Sequence, residues 1–142
     1  MTTIQDAVTE AQIECCFPVM SELRPGFSHE SFIKQVKRQQ EAGYTLTFLS
    51  PNPDGEIVAV AGWRIRENLA MGPHLYIDDL VTSESRRSKG QGKNLLEHVI
   101  ERGQKAGCSI ALLDSGVQRF PAHRFYRREG FDIRAYLFLR SI

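Results

Sequence analysis

Residues 108–114 (Cys-Ser-Ile-Ala-Leu-Leu-Asp) are largely apolar, do not alternate, and are too few for a helix. Such a run reads as a strand covered on both faces, the habit of strands in parallel pairs. Ahead of it lies a helical pattern over about 90–105, with Leu95, Leu96, Val99 and Ile100 on one face and Gly107 closing it. Ahead of that is an extended run over about 75–82 (Leu-Tyr-Ile-Asp-Asp-Leu-Val-Thr). Strand, helix and strand in this order predict two parallel, adjacent strands joined by a right-handed crossover.

The remaining punctuation surrounds that unit with antiparallel elements. Residues 2–6 suit a short edge strand, and 9–23 a helix that Pro18 should bend or split. Ser28 is placed to cap a second helix through Ala42, with Phe32, Ile33 and Val36 buried and Gly43 ending it. Residues 44–50 and 56–66 have strand composition, and Asn52-Pro53-Asp54-Gly55 between them is a turn signal, so they form a hairpin. A short helix over about 121–129, stopped by Gly130, leads to a last strand over about 131–140. The expected fold is one α/β domain over residues 1–142: a mixed, mostly antiparallel sheet of about six strands flanked by about four helices.

Eighteen Lys and Arg against seventeen Asp and Glu leave a net charge of +1, which gives no global pull toward nucleic acid or acidic membrane. No window approaches the ~20 apolar residues of a membrane span. Residues 1–14 lack a basic region followed by an apolar run, so no signal peptide is expected. Three cysteines (Cys15, Cys16, Cys108) make no disulfide framework, which suits a reducing, cytoplasmic setting. One of Cys15 and Cys16 should pack inward, and Cys108 reads as a small core residue. The histidines (His29, His74, His98, His123) show no metal-ligand spacing, His98 reads as a surface residue, and no metal is predicted. Trp63 reads as a core or hairpin anchor.

Chemistry concentrates in Arg86-Arg87-Ser88-Lys89-Gly90-Gln91-Gly92-Lys93, which joins the strand to the crossover helix. Two glycines admit a ligand close to the backbone, the first helical N–H groups lack partners, and four cations add charge. These are the ingredients of a pyrophosphate site. Neither the P-loop spacing nor the Rossmann fingerprint fits. On the loop alone, a solvated basic turn and an anion site remain equal readings. Likewise, a pair of acids at Asp78 and Asp79, beside apolar Ile77 and Leu80, is costly unless paired or functional. Strand alternation would send the two to opposite faces.

Arg87-x-x-Gly90-x-Gly92 resembles the Arg/Gln-x-x-Gly-x-Gly/Ala signature of the GCN5-related N-acetyltransferase (GNAT) superfamily. Ala122-His123-Arg124-Phe125-Tyr126-Arg127-Arg128-Glu129-Gly130-Phe131 resembles that family's A-x-x-x-Y-x-x-x-G-F block. The likeness spans nearly the whole chain in element order and is most specific over about 75–131. Many relatives carry Asn seven residues before the block's Tyr, where this chain has Arg119, and the stretch from Ser115 to Tyr126 is more similar to aminoalkylphosphonate acetyltransferases of the superfamily.

The resemblance implies an acetyl-CoA-dependent N-acetyltransferase acting on a small primary amine by direct attack in a ternary complex. It implies that Arg87, Ser88, Lys89, Gly90, Gln91, Gly92 and Lys93 hold the pyrophosphate, and that Leu80, Val81, Thr82 and Arg119 meet the pantetheine arm. A backbone N–H near Leu80–Val81 would bond the thioester carbonyl. Tyr126, which on its own reads as a packing residue beside Phe125, becomes the general acid for the departing thiolate. Asp78 stands where polyamine acetyltransferases carry a glutamate, nine residues before the signature Arg. It becomes the base through water, or the anchor of a cationic amine, with Asp79 in a cap or salt bridge and the two roles exchangeable. Arg24 would line an acceptor pocket. Alternatives are a protein or peptide N-acetyltransferase and a coenzyme A-binding module without catalysis; RNA binding is disfavoured by the charge balance and the lack of an aromatic platform. Dimers are common in the family, and no residue of the sequence decides between a monomer and a homodimer.

Overall fold

The structure, a computed structural model, describes residues 2–52, 55–87 and 89–142. Five strands form one sheet in the order of the chain: β1 (Thr3–Asp6), β2 (Thr45–Ser50), β3 (Ala59–Asn68), β4 (Gly72–Thr82) and β5 (Ala111–Leu113). β1 to β4 are antiparallel neighbours, and β5 runs parallel to β4, pairing Leu75–Ile77 with Ala111–Leu113. The crossover between them is α3 (Gln91–Lys105), so the strand-helix-strand unit stands where the sequence predicts it.

Helices α1 (Glu10–Leu23) and α2 (His29–Glu41) cover one face of the sheet. Ile13, Cys16, Val19, Met20, Phe32 and Val36 pack there with Leu46, Phe48, Val60 and Val81. On the other face Leu95, Leu96 and Val99 of α3 meet Ala61, Trp63, Leu75, Ile77 and Leu80. Trp63 is buried in this layer and donates its indole N–H to Thr47 Oγ1 at 3.0 Å. Both early helices carry reciprocal caps, Thr9 with Gln12 and Ser28 with Ser31, which fix their first turns. Cys16 is buried and Cys15 exposed; burial pushes the Cys16 thiol up to about 12.

Some expectations need correction. α1 runs through Pro18 without a break; the ring forfeits one hydrogen bond to the preceding turn, and the buried side chains of Ile13, Cys16, Val19 and Met20 hold the helix whole. His98 is half-buried rather than a surface residue, and that burial lowers its pKa. β5 is three residues long and half-buried, not fully covered over 108–114. The cause lies in the last segment: residues 131–140, expected as a strand, form no ladder, so β5 has one neighbour only among the described residues. Within the hairpin turn, Pro53 and Asp54 lie outside the described residues. Helix α4 (Phe120–Arg128) precedes that tail and packs through Phe125 and Tyr126 beside α3.

Candidate active site

The site grows from an irregularity in β4. Its register against β3 passes from Ile77↔Trp63 to Asp79↔Gly62, which leaves Asp78 as an extra residue with no partner across. A bulge of this kind resets the alternation. Asp78 and Asp79 therefore share one face instead of pointing to opposite faces as strand periodicity alone predicts. Both line a cavity of about 330 Å³ beneath α1 and α2, with Arg24, Phe27, Tyr44 and Tyr76.

The two acids are held differently. Asp79 uses both oxygens: Arg24 Nε donates to Oδ1 at 2.9 Å and the Tyr44 hydroxyl to Oδ2 at 2.7 Å. Gly62 makes this possible, since a Cβ there would stand 2.6 Å from Asp79 Oδ2 and collide with the Tyr44 hydroxyl. Asp78 receives Arg64 Nε on Oδ1 at 3.0 Å and, among the described residues, has no side-chain donor on Oδ2, while its backbone carbonyl accepts from Arg24 at 3.0 Å. Burial raises the Asp78 carboxyl above the usual aspartate range, and the Arg64 guanidinium opposes that rise. Burial, with Asp79 adding to it, holds the Tyr44 phenol well above its ordinary value. Tyr76 donates to Asp114 Oδ2 at 2.5 Å; burial first, then Asp114, pushes its pKa up to about 12.

Beyond the bulge β4 loses its second neighbour, because the β5 ladder ends at Ile77↔Leu113. Leu80, Val81 and Thr82 stay paired with β3 on one side only. Ser83 N–H donates to Val58, and Arg87 Nε donates to the Thr82 carbonyl at 3.2 Å from the other side. Alternation along the strand then turns the backbone groups of Leu80 and Thr82 toward the uncovered side. Arg87 takes the Thr82 carbonyl, while among the described residues no bond from outside the strand meets the backbone of Leu80, a capacity that a buried backbone rarely leaves unused.

Across that opening lies the start of α3. Gly90 caps it in the left-handed region (φ +81°), and among the described residues no side chain caps the helix. The first intrahelical bond is Asn94 N–H to Gly90, so the amides of Gln91, Gly92 and Lys93 have no intrahelical acceptor. A Cβ on Gly92 would sit 2.8 Å from Thr82 Oγ1, so the bare backbone at this position brings helix and strand together. Arg87 and Lys93 flank the amides; their ion pairs are loose, 3.9 Å to Glu22 and 3.7 Å to Glu129, and Arg87 also holds the Thr82 carbonyl. Lys89 is exposed, Ser88 lies outside the described residues, and Arg86 is committed elsewhere, to Glu56 at 2.6 Å. Among the described residues two buried side-chain atoms lack a partner, Gln91 Oε1 and Ser115 Oγ. They belong to the first turn of α3 and the exit of β5, the two elements that bound the opening.

Tyr126 approaches from α4. Burial raises its phenol, while Arg119, at hydrogen-bonding range, and Arg24 pull it back. The Tyr126 ring packs against Phe125 and Phe131, with ring centroids 5.5 and 5.8 Å away. His123 Nε2 lies 2.7 Å from the Gly116 carbonyl and ties the β5–α4 loop to α4. The side chains that sequence reading missed are Tyr44, Arg64, Tyr76 and Asp114. One signal for them existed: a lone glycine within a strand, Gly62, marks a bulge or a close approach.

A helix N-terminus with free amides facing a half-paired strand across an opening is a frame for a phosphate-bearing chain. Over residues 7–131 the sequence matches the family model of the acetyltransferase (GNAT) family. The chain belongs to that family. By class it is an acyltransferase, an N-acetyltransferase. It is 40% identical over 128 residues to an uncharacterized N-acetyltransferase of Bacillus subtilis (strain 168), YhdJ, with 89% of each chain covered. It is 27% identical over 108 residues, 70% of each chain, to the aminoalkylphosphonate N-acetyltransferase of Salmonella typhimurium. Its fold superposes on an aminoglycoside N-acetyltransferase solved in complex with CoA, with a TM-score of 0.86 at 18% identity, covering 99% of this chain and 95% of that one.

Proposed function

We infer that this acetyltransferase uses acetyl-CoA to acetylate the primary amine of a small molecule, by direct attack while donor and acceptor are both bound. One observation carries the reading: the half-paired stretch of β4 opens on one side to the bare amides of α3, while the bulge beside it turns Asp78 into the cavity under α1 and α2. The residues fit the donor, since the amides of Gln91, Gly92 and Lys93 suit a pyrophosphate and Arg87, Lys89 and Lys93 supply charge. When bound, acetyl-CoA supplies an activated acyl group on a thiol leaving group.

The chain's own groups then divide the work. The outward N–H of Leu80 is placed to bond the thioester oxygen, more strongly as that oxygen gains charge. Asp78, with one oxygen free of side-chain donors, accepts the proton of the incoming ammonium group, directly or through water. Asp79, saturated by Arg24 and Tyr44, fixes the floor of the pocket. Tyr126, kept protonated by burial, returns a proton to the departing thiolate. The cavity supports a small acceptor over a peptide: at about 330 Å³ it has the size of a small-ligand site and lies between two helices and the sheet. Its lining carries two carboxylates, Asp78 and Asp79, against the single cation Arg24, which is already paired with Asp79, and this balance suits an acceptor that arrives as an ammonium group. The likeness to the aminoalkylphosphonate enzyme supports a small amine as the acceptor.

Thiol release from acetyl-CoA, followed across a panel of amines that includes aminoalkylphosphonates, tests this directly. Turnover is expected with small primary amines. Tight coenzyme binding with no turnover on any amine would instead make the chain a coenzyme-binding module.

A further inference from the structure

The cavity under α1 and α2 keeps few uncommitted polar atoms, and their places describe the molecule that would fill it. Phe27 and Phe32 line it on the helix side, Tyr44 and Tyr76 on the sheet side, so aromatic rings form both walls. The two phenols offer ring surface rather than free hydroxyls: Tyr44 donates to Asp79 and Tyr76 to Asp114. Arg66 lies over the Tyr76 ring, 3.9 Å from its centroid, and donates from Nε to His74, which fixes that wall. Walls of this kind favour a flat aromatic body, because rings pack edge-to-face or offset against one another.

The charges of the lining are nearly all engaged. Arg24 and Tyr44 occupy both oxygens of Asp79. Arg24 is the single cation of the lining, and it holds Asp79 through Nε and the Asp78 carbonyl through Nη2. Among the described residues only Asp78 keeps an oxygen without a side-chain donor, so one ammonium group is matched. A second ammonium finds no free carboxylate. A phosphonate or carboxylate group would enter against two acids, a like-charge contact in a half-buried place.

A second uncommitted pair lies on α2. Phe32, Gln35, Val36 and Gln39 follow the spacing of one helix face, and all of them line the cavity. Gln35 Nε2 donates to Gln39 Oε1 at 2.9 Å in a half-buried setting. That bond fixes both amides and leaves Gln35 Oε1 to accept and Gln39 Nε2 to donate, neither with a partner among the described residues. A neutral group that can both give and take a hydrogen bond fits this pair.

We propose that the acceptor is an arylalkylamine of single charge, with its ammonium at Asp78, its ring between the aromatic walls, and a neutral hydroxyl or amide read by Gln35 and Gln39. The inference rests on the acetyl-transfer reading above and narrows its substrate class. The two glutamines are specificity residues: they choose among amines that Asp78 alone would accept alike.

Initial rates of thiol release with tyramine, phenethylamine, 3-aminopropylphosphonate and cadaverine test it. Tyramine is expected to give the highest kcat/KM, about tenfold above phenethylamine for one half-buried hydrogen bond. It should exceed the two probes with a second charge by roughly 100-fold. In the double substitution Gln35→Leu with Gln39→Leu, the ratio of tyramine to phenethylamine should fall to about one, and a ratio is insensitive to the folded fraction. Should that variant not fold, Gln39→Glu, which still accepts from Gln35, is expected to raise cadaverine relative to tyramine about tenfold. Equal wild-type rates for tyramine and phenethylamine, a best rate with the phosphonate or the diamine, or ratios that these substitutions leave in place each overturn the proposal while acetyl transfer stands. Absence of turnover with every probe is read by calorimetry on the coenzyme A-loaded chain. Tyramine binding more tightly than phenethylamine then keeps the class and overturns acetyl transfer, and no such preference overturns the class itself.

Discussion

The two halves of β4 are one strand with two different environments. Over residues 72–77 it is paired with β3 throughout and with β5 from Leu75 to Ile77, and His74, Leu75 and Ile77 are buried. Even the buried imidazole is satisfied there: its Nδ1 lies 2.8 Å from the Gly72 carbonyl, and Arg66 Nε donates to Nε2 at 3.1 Å. Over residues 78–82 the strand has β3 alone, and its polar groups are left to an opening. Saturated hydrogen bonding makes the first half rigid, and that rigidity lets the second half hold unused groups in place. A site built this way is preorganised by the strand that continues into it.

The comparison breaks if substitutions in the two halves have the same kind of effect. The largest expected effect is Asp78→Asn, which removes the proposed base from the open half. The rate kcat/KM should fall by roughly 10²–10⁴-fold, while the thermal midpoint changes little because the amide keeps the side chain's size. In the closed half, Leu75→Ala should do the reverse. It deletes a fully buried side chain that sits 3.1 Å from where a Cβ on Gly103 would stand, and should cost about 2–5 kcal/mol of stability. The kcat of the folded fraction should stay unchanged; denaturant titration beside active-site titration reads both.

Smaller effects sharpen the contrast within the open half. Tyr126→Phe should lower kcat by about 100-fold, the lower end for a lost acid, while coenzyme affinity by calorimetry stays put. An unchanged kcat would return Tyr126 to the packing role that its neighbours Phe125 and Phe131 suggest. Gly92→Val should do the converse. Its Cβ meets Thr82 Oγ1 at 2.8 Å, so α3 must shift away from β4. Coenzyme affinity should weaken about tenfold, the cost of a little over 1 kcal/mol typical of overpacking, with kcat at saturation nearly intact.

The same contrast explains what the sequence made legible. The closed half follows from short-range rules: an unalternating apolar run at 108–114, a helical face at Leu95, Leu96, Val99 and Ile100, and a glycine stop at Gly107 dictate the parallel pair. The cradle is also local, since Gly90, Gly92 and the first turn of α3 are contiguous. The cavity under α1 and α2 is not. It joins Arg24 just after α1, Tyr44 just before β2, and Asp78 and Asp79 of β4, with Arg64 of β3 bonded to Asp78, and only the register of β3 against β4 brings them together. Periodicity misplaces Asp78 because a bulge is a property of two strands at once, visible in the sequence only as Gly62. The tail misleads for a related reason: alternation from Phe131 to Arg140 specifies a strand but does not say against which edge.

The smallest effect concerns pH. Burial raises the Asp78 carboxyl, so its acid limb in a plot of kcat/KM against pH should lie above the ordinary aspartate range. A base must be unprotonated, so activity rises as pH climbs through that value. Arg64, whose Nε stands 3.0 Å from Oδ1, holds the pKa down against burial. Arg64→Gln should therefore move the acid limb further upward while leaving the plateau nearly unchanged. Folding carries the opposite sign: a carboxyl whose pKa is raised in the folded state favours folding most below its unfolded value, and that advantage is lost as pH rises through the folded one. Tyr126 contributes no alkaline limb near neutrality, because burial keeps its phenol protonated there. An acid limb that stays in place in both Arg64→Gln and Asp78→Asn would remove Asp78 from proton transfer and leave it, like Asp79, a fixture of the pocket floor.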